Sequence, residues 1–376
     1  DRISIDSLKS ISLCDSCLRR SRCCPYCQSL NKETSLEKKR ENGLLLRNIK
    51  VMTDATGSKY LCVTYPLFCD PEIAYSPEKS NYLQAKGNTI RLRKRLIKQK
   101  LLESFNLQLQ ADVDNGYCEI IRGKEVNEIL SKVHCCSTVN FVLKPSSEST
   151  PLRLVTNASF FHQSKSLNAN VVAGLTELPP ILHLLLEFFL APWVAAFDIK
   201  HCYRAIHTSE STNLLRLIPI WADENDEDCT ALLKYGRMCF GDIAASSILL
   251  LSYFHFVLPL LKTPLARKVL SSLYVDDSLS GHRCKEELEK AVEEVISKLA
   301  VFGFRPKYVF YNFKEKPQEL KEDHMIVFHQ HWNFISDEVT PGLHFNITPK
   351  QRGINKGKNL TQMSREEIQN VKLTKT

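Results

Sequence analysis

Two spacings of apolar residues alternate along the chain. Apolar positions recur at helical spacing over residues 81–112 and again over 288–299, and Gly303 follows the second run as the residue expected after a helix end. Short apolar and β-branched runs, such as residues 194–197, are typical of buried strands. Residues 141–145 and 152–155, with a polar turn between them, predict a hairpin. Together these patterns predict an α+β fold.

Two adjacent acids stand in the stretch Tyr-Val-Asp-Asp at residues 274–277. Both flanks have the apolar and β-branched content of strands, so we expect Asp276 and Asp277 at a hairpin turn. Adjacent carboxylates repel each other, and burial strengthens the repulsion unless a positive group lies between them. Magnesium would relieve it, because this hard divalent cation takes oxygen ligands. The alternative from these four residues alone is an ordinary acidic surface turn.

A third acid, Asp198, closes the apolar run at residues 194–197, where an unpaired buried carboxylate would be costly. Three carboxylates at the ends of neighbouring strands would make a two-metal site, with the ions about 3.5–4 Å apart, suited to phosphoryl transfer. We therefore predict that Asp198, Asp276 and Asp277 are catalytic. Two Mg²⁺ ions would be bridged by Asp198 and Asp276, with Asp277 assisting and the carbonyl of Ile199 as an extra ligand.

Two basic residues, Lys144 and Arg153, lie on either side of the turn in the predicted hairpin. Such a pair suits a triphosphate, because Arg binds two oxygens at once and Lys supplies a point charge. The alternative is a pair of solvated strand cations. A longer basic run at residues 91–100 is either a solvated helix face or a contact to a nucleic-acid backbone.

The composition is that of a globular protein with a modest positive charge. The 376 residues are 43% hydrophobic and 24% charged, and the formal net charge of +8 is compatible with nucleic-acid binding. Fourteen cysteines without a disulfide-type framework or a signal peptide indicate a reducing intracellular setting. The apolar stretches 181–197 and 248–261 are interrupted or short, so we expect buried helices and no membrane segment.

Paired cysteines near the start of the chain suggest a metal site. Cys14 and Cys17 form one pair at knuckle spacing, and Cys24 and Cys27 form a second. Two such pairs bind Zn²⁺ when they meet, although the loop between them is short for a zinc ribbon. The alternative is an unmetallated linker with reduced thiols. A zinc-dependent nucleic-acid-binding module is therefore one functional hypothesis.

Asp198 with Tyr203 after it, followed later by Tyr-Val-Asp-Asp, resembles motifs A and C of reverse transcriptases. More narrowly, the chain resembles the polyprotein of BEL/Pao-type LTR retrotransposons over nearly its whole length. The resemblance implies a right-hand polymerase: an antiparallel palm sheet backed by helices, with a fingers subdomain and a small Cys-rich segment before it. It also implies the following division: Cys-rich segment and linker 1–50, N-terminal extension and fingers 51–195, palm 196–335, and the truncated start of a thumb or connection 336–376.

The resemblance assigns nucleotide contacts to particular side chains. Tyr203 would stack under the sugar and exclude a ribose 2′-hydroxyl. Lys307 would lie near the leaving pyrophosphate and act as general acid. Gly241 would allow the backbone to approach the template or base closely. The predicted nucleotide-binding residues are Lys144, Arg153, Tyr203, Phe240, Gly241 and Lys307.

The implied activity is RNA-directed DNA polymerisation on an RNA or DNA primer-template with deoxynucleotides. The implied location is intracellular, in a cytoplasmic retroelement particle, with nuclear access left open; the sequence does not reveal the oligomeric state. Three features depart from the family pattern: Asn157 replaces an Asp, Asp242 introduces an acid, and no Pro follows Ser247. A decayed or co-opted element that keeps the fold without the chemistry is therefore an alternative.

Overall fold

The computed structural model describes residues 36–143, 152–160, 166–315, 323–327 and 330–341. Helices α1 to α11 span, in chain order, Leu36–Arg47, Pro71–Ala74, Tyr82–Lys98, Leu102–Asp114, Lys124–Leu130, Leu167–Asn170, Ile181–Leu190, Glu210–Leu214, Ala245–Ser252, Pro264–Ser271 and Lys285–Ala300. Strands β1 to β14 span Ile49–Thr53, Lys59–Val63, Cys118–Ile121, Thr138–Leu143, Leu152–Asn157, Trp193–Ile199, His207–Thr208, Ile218–Ile220, Ala231–Tyr235, Asp277–His282, Pro306–Tyr311, His324–Val327, Gln330–Asn333 and Glu338–Pro341. Short 3₁₀ turns lie at Pro77–Lys79, Cys202–Ala205 and Leu258–Leu260, and a π-helix, Tyr253–Val257, continues α9. The mixture of helices with small, mainly antiparallel sheets confirms the predicted α+β class.

A three-stranded antiparallel sheet in the order β10-β6-β11 lies at the centre of the part that carries the acids. β6 is the middle strand and is almost wholly apolar, so its residues 194–197 are buried. Because both neighbours are antiparallel to β6, the C-terminal end of β6 meets the first residues of β10 and β11. The predicted buried strand is present at this position.

Helices α10 and α11 pack against this sheet. α11 is the helix predicted from residues 288–299, and it buries its stripe of apolar residues against β6 and α10. Gly303 follows with φ +81°, a left-handed conformation that glycine adopts without steric cost. The stripe joins the largest apolar core, which also contains Leu45 and Ile49 from α1 and β1.

A second apolar core lies beneath α3, α4 and the sheet β3-β9-β8. The hairpin β4–β5 covers it, and the pairing of Val142 with Arg153 confirms the predicted hairpin. In β5 the buried residues Leu152, Leu154 and Thr156 alternate with Arg153 and Asn157, which are exposed. One face of the hairpin therefore packs on the core, while the other face is exposed.

The stretch before the acidic turn is helical, so the prediction of a strand on that flank is wrong. The side chain of Thr263 accepts a hydrogen bond from the backbone N–H of Ala266 and begins α10. Ala266, Val269 and Leu270 then lie on one face of the helix and are buried. An apolar run of this length fits either element, and the N-terminal cap together with packing on α11 favours the helix.

Residues 181–197 do not form one buried helix, which corrects a second expectation. α7 ends at Leu190 and β6 begins at Trp193, because Pro192 disfavours helical geometry at Ala191, which is extended. α7 buries only one side, and its large exposed apolar residues are Ile181, Leu182, Leu186, Phe189 and Leu190.

Strands β12, β13 and β14 form a small antiparallel sheet in that order. Val327 of β12 pairs with Gln330 of β13. Trp332 of β13 is fully buried, and its ring lies 5.1 Å from that of Phe188 in α7. This contact attaches the sheet to the helix that precedes β6.

Two further expectations concern the state of the cysteines and membrane segments. All cysteines in the described ranges are free thiols. Among the described helices, none combines the length and the apolar character that crossing a membrane requires.

Candidate active site

Strand pairing brings the three predicted acids together. In the register of β10 against β6, Asp277 pairs directly with Asp198. One carboxylate oxygen from each of Asp198, Asp276 and Asp277 lies within 4.8 Å of the other two. All three side chains are half-buried. Two stretches far apart in sequence thus form one cluster of oxygen donors.

The turn that carries two of these acids is tightly held by backbone hydrogen bonds. The N–H of Tyr274 donates to the carbonyl of Asp277 at 2.8 Å, so Val275 and Asp276 are the central residues of a two-residue turn. The N–H of Ile199 donates to the carbonyl of Asp276 at 2.8 Å and ties the turn to the end of β6. Val275 has φ +67°, which is unusual for a β-branched residue.

The charge balance at the cluster fits a divalent cation. Burial raises the pKa of Asp276 above its usual range, and its own backbone amide and the charge of Arg153 offset only part of this effect. Burial likewise raises the pKa of the Cys202 thiol, and the neighbouring charge of Asp276 adds to it. Half-buried carboxylates that lie this close together are oxygen ligands of the kind that Mg²⁺ takes.

The raised pKa of Asp276 predicts how metal-free stability changes with pH. The folded chain binds this proton more tightly than the unfolded chain, so the contribution to stability is present at low pH and is lost as pH rises through the folded pKa. With EDTA present, Asp276→Asn should therefore become more stable than wild type as the pH increases from about 4 to about 8. Urea unfolding of both proteins across this range measures the difference.

Adding Mg²⁺ supplies the control for that comparison. A ligand that binds only the folded chain raises its stability. Mg²⁺ should therefore stabilise wild type more than Asp276→Asn, so that wild type becomes the more stable of the two proteins. An Asn variant that is less stable than wild type at neutral pH without metal would contradict the expectation.

Ile199, the predicted backbone ligand, is buried at the end of β6 beside Asp198. It pairs across the sheet with Pro306 of β11. The N–H of Lys200 donates to the carbonyl of Arg305 at 2.9 Å, so Ile199 and Pro306 form a non-hydrogen-bonded pair. A cation contact at the Ile199 carbonyl stays a prediction.

Of the two predicted triphosphate-binding residues, the structure describes only Arg153. Arg153 is exposed on the open face of β5, and its charge acts on Asp276. Lys144 lies outside the described residues, as do Cys14, Cys17, Cys24 and Cys27. The zinc hypothesis therefore stays a prediction.

Tyr203 and Phe240 meet beside the acids. Their rings lie 4.9 Å apart at an interplanar angle of 85°. The hydroxyl of Tyr203 is 2.9 Å from that of Ser246 in α9, which fixes the ring direction. Phe240 is 43% exposed, so part of its ring is accessible to a bound molecule.

Gly241 occupies a position that no other residue fits without movement. Its φ is +108°, and an added Cβ would lie 2.2 Å from the carbonyl oxygen of Thr156. Asn168 holds the same loop, since its Nδ2 donates to the carbonyl of Gly241 at 2.8 Å. The close backbone approach predicted for this glycine is directed at Thr156 in β5.

Lys307 lies one residue beyond Pro306 on β11 and is exposed. Its ammonium group is 5.7 Å from the centre of the Tyr308 ring. The strand pairing places it near the acid end of β6, and its role in proton transfer stays a prediction.

Asp242, which departs from the family pattern, belongs to a buried network. Its Oδ2 accepts hydrogen bonds from Nη1 of Arg216 at 2.8 Å, from the hydroxyl of Tyr65 at 2.7 Å and from the N–H of Cys239 at 3.1 Å. Burial alone would lower the pKa of Arg216, and the charge of Asp242 raises it. The acid follows Gly241 directly, so it fixes the loop of Phe240 and Gly241 from inside. The sequence contains both partners but gives no sign that they pair.

A second buried pair lies on the other side of Cys239. Arg204, just after Tyr203, pairs with Asp112 of α4 at 3.4 Å and lies 4.3 Å from the ring centre of Tyr235. Nη1 of Arg204 also donates to Sγ of Cys239 at 3.2 Å. The sequence gives no sign of this pair, because Asp112 and Arg204 are far apart along the chain.

Asn157, the other departure, is exposed at the end of β5. Its Oδ1 accepts a hydrogen bond from the N–H of Ser159 at 3.1 Å and shapes the turn that follows. The residue therefore has a local structural role.

No protein-family model matches the sequence, and the comparison with curated proteins also gives no match. Solved structures are similar to it. The foamy viral protease-reverse transcriptase in complex with double-stranded DNA is 14% identical over 59% of this chain and 32% of that chain, with a TM-score of 0.40. Its complex with an RNA/DNA hybrid is 14% identical over 57% of this chain and 26% of that chain, with a TM-score of 0.38. A prototype foamy virus protease-reverse transcriptase mutant is 12% identical over 64% of this chain and 26% of that chain, with a TM-score of 0.41. The chain thus spans about a third or less of the length of these structures.

Proposed function

We propose that the chain is the reverse transcriptase part of a BEL/Pao-type retroelement and transfers deoxynucleotides to a primer 3′-hydroxyl on an RNA template. The observation that carries the proposal is the pairing of Asp277 with Asp198, which places both within 4.8 Å of an oxygen of Asp276. A surface turn would not need a third acid from another strand, so the cluster favours a cation site over the ordinary acidic turn.

The acids would hold the cations that this reaction uses. Asp198 and Asp276 would be the main ligands of two Mg²⁺ ions, with Asp277 and the carbonyl of Ile199 assisting, and the ions would supply activation of the hydroxyl and neutralisation of phosphate charge. The rest of the chemistry belongs to side chains around them. Arg153 lies on the open face of β5, from which a guanidinium can bind two phosphate oxygens.

Selection of the nucleotide would come from the pair Tyr203 and Phe240. Tyr203 cannot move away from the sugar position easily, because Ser246 holds its hydroxyl and Phe240 packs against its ring. A ring fixed in this way excludes a 2′-hydroxyl by steric conflict. Lys307 would donate a proton from its ammonium group to the departing pyrophosphate.

The nucleic acid would be held through its phosphates by exposed cations. α3 presents Arg91, Lys94, Arg95 and Lys98 on one face, and within the described part of the chain none of them forms an ion pair with a carboxylate. Arg95 lies 5.1 Å from the ring centre of Phe141, which connects this face to the β4–β5 hairpin. A row of exposed cations beside the hairpin fits a polyanion.

Removing two of these charges should weaken binding without changing its sequence preference. The variant Lys94→Gln/Lys98→Gln should lower the slope of log K against log salt by about 1.4 for a single-stranded template, since each phosphate contact contributes about 0.7. Fluorescence anisotropy with a primer-template that has a long 5′ overhang measures the slope. Lys285→Gln/Lys290→Gln, at exposed positions of α11, is the matched control. Equal slopes in the two variants would remove α3 from the binding surface.

Primer extension tests the proposed function directly. Wild type with Mg²⁺, an RNA template, a DNA primer and deoxynucleotides should extend the primer, and ribonucleotides should be used far less well. A folded chain that extends no primer on RNA or DNA, with Mg²⁺ or with Mn²⁺, would overturn the proposal in favour of the decayed element.

A further inference from the structure

A buried tyrosine lies directly under the turn that carries the acids. Tyr253 begins the π-helix and has no exposed surface. Its ring packs against that of Phe304, with the centres 5.1 Å apart. Its hydroxyl donates a hydrogen bond to the carbonyl of Val275 at 3.2 Å. The contact reaches the peptide that joins Val275 to Asp276.

This peptide determines which type of turn the chain adopts. Turn types that differ in the direction of their central peptide differ in the sign of φ at the central residues. Val275 has a positive φ and Asp276 does not, which is the pattern of a type II′ turn. Glycine is the usual residue at the first central position, and Val275 has a branched side chain there instead. The turn therefore needs support from its surroundings.

We propose that Tyr253 is a positioning residue that fixes the Val275–Asp276 peptide and so directs the carboxylate of Asp276 toward Asp198 and Asp277. The N–H of Ile199 holds the next carbonyl, that of Asp276, at 2.8 Å. Hydrogen bonds to two successive carbonyls fix both ends of the Asp276 backbone. The inference rests on the proposed function only in requiring that the acids bind divalent cations.

The position of Tyr253 in the helix agrees with this role. π-turns within helices are rare and are frequent at functional sites. The helical segment formed by α9 and the π-helix contacts Tyr203 through Ser246 near one end and the acidic turn through Tyr253 further along. One helical segment therefore contacts both Tyr203 and the turn that carries Asp276 and Asp277.

The test is Tyr253→Phe, which keeps the ring and removes only the donor. We expect Mn²⁺ affinity, measured by electron paramagnetic resonance without substrate, to fall about tenfold, as loss of one well-placed hydrogen bond predicts. In primer extension, kcat should fall about tenfold while KM for the deoxynucleotide changes less than about twofold. Tyr75→Phe is the matched control, because the buried Tyr75 hydroxyl also donates to a backbone carbonyl, that of Ser166, at 3.3 Å. It should leave Mn²⁺ affinity unchanged.

A rescue variant separates turn geometry from general loosening. Glycine adopts a positive φ freely, so adding Val275→Gly to Tyr253→Phe should restore most of the Mn²⁺ affinity. Wild-type affinity in Tyr253→Phe, equal losses in Tyr253→Phe and Tyr75→Phe, or no rescue by glycine would each overturn the inference. Wild type that binds Mn²⁺ but extends no primer would overturn the proposed function alone, since the metal measurements still decide the role of Tyr253.

Discussion

Replacing Asp276 with Asn should abolish Mg²⁺-dependent primer extension, with a loss of about a thousandfold or more. The amide has the shape of the carboxylate but not its charge, so the cluster with Asp198 and Asp277 would lose a ligand charge it needs. The fold should persist, because burial already disfavours the charged form of Asp276. Steady-state extension on an RNA template, with circular dichroism to establish folding, measures both parts of the expectation.

Two further variants define how specific that loss is. Asp277→Asn should retain more activity than Asp276→Asn, because Asp277 is expected to assist and not to bridge the ions. Asp114→Asn changes an exposed acid of α4 that accepts a hydrogen bond from the side chain of Gln110 at 2.7 Å, and this variant should extend primers like wild type. Extension by Asp276→Asn within tenfold of wild type would show that the acid cluster is not the catalytic centre.

The elements that carry the acids were predictable because their signals are local. The apolar run before Asp198 has the length and composition of a buried strand, and β6 forms there. The apolar stripe of α11 repeats over several turns, so its helical period is unambiguous. The hairpin β4–β5 follows from two apolar runs around a polar turn. In each case the residues that decide the structure lie within one segment.

The rest depends on contacts between segments, which a single sequence does not show. The run before Tyr274 is apolar enough for a helix or a strand, and packing of α10 against α11 favours the helix. Asp242 is a departure from the family pattern in sequence, yet Arg216 and Tyr65 make it part of the core. Nothing in the sequence singles out Tyr253, because its role is inferred from a hydrogen bond to the carbonyl of Val275 in another segment.

Asp242→Ala should destabilise the chain by about 3–5 kcal/mol, the usual cost of leaving one partner of a buried ion pair alone. Arg216 is only 2% exposed, so water cannot replace the lost carboxylate, and the hydroxyl of Tyr65 also loses its acceptor. The denaturant midpoint in urea should fall accordingly, and the KM for deoxynucleotide should rise, since Gly241 and Phe240 precede Asp242 directly.

A surface pair of similar length provides the control for this last expectation. Lys268 and Glu187 lie 3.0 Å apart with both side chains partly exposed, so Lys268→Ala should cost no more than about 1 kcal/mol. Asp242→Asn keeps one oxygen acceptor and should fall between Asp242→Ala and wild type. An Asp242→Ala variant that unfolds at the wild-type urea concentration would show that Arg216 finds another partner. That result would favour the decayed element, whereas a large loss of stability would identify Asp242 as part of the support for the loop of Phe240 and Gly241.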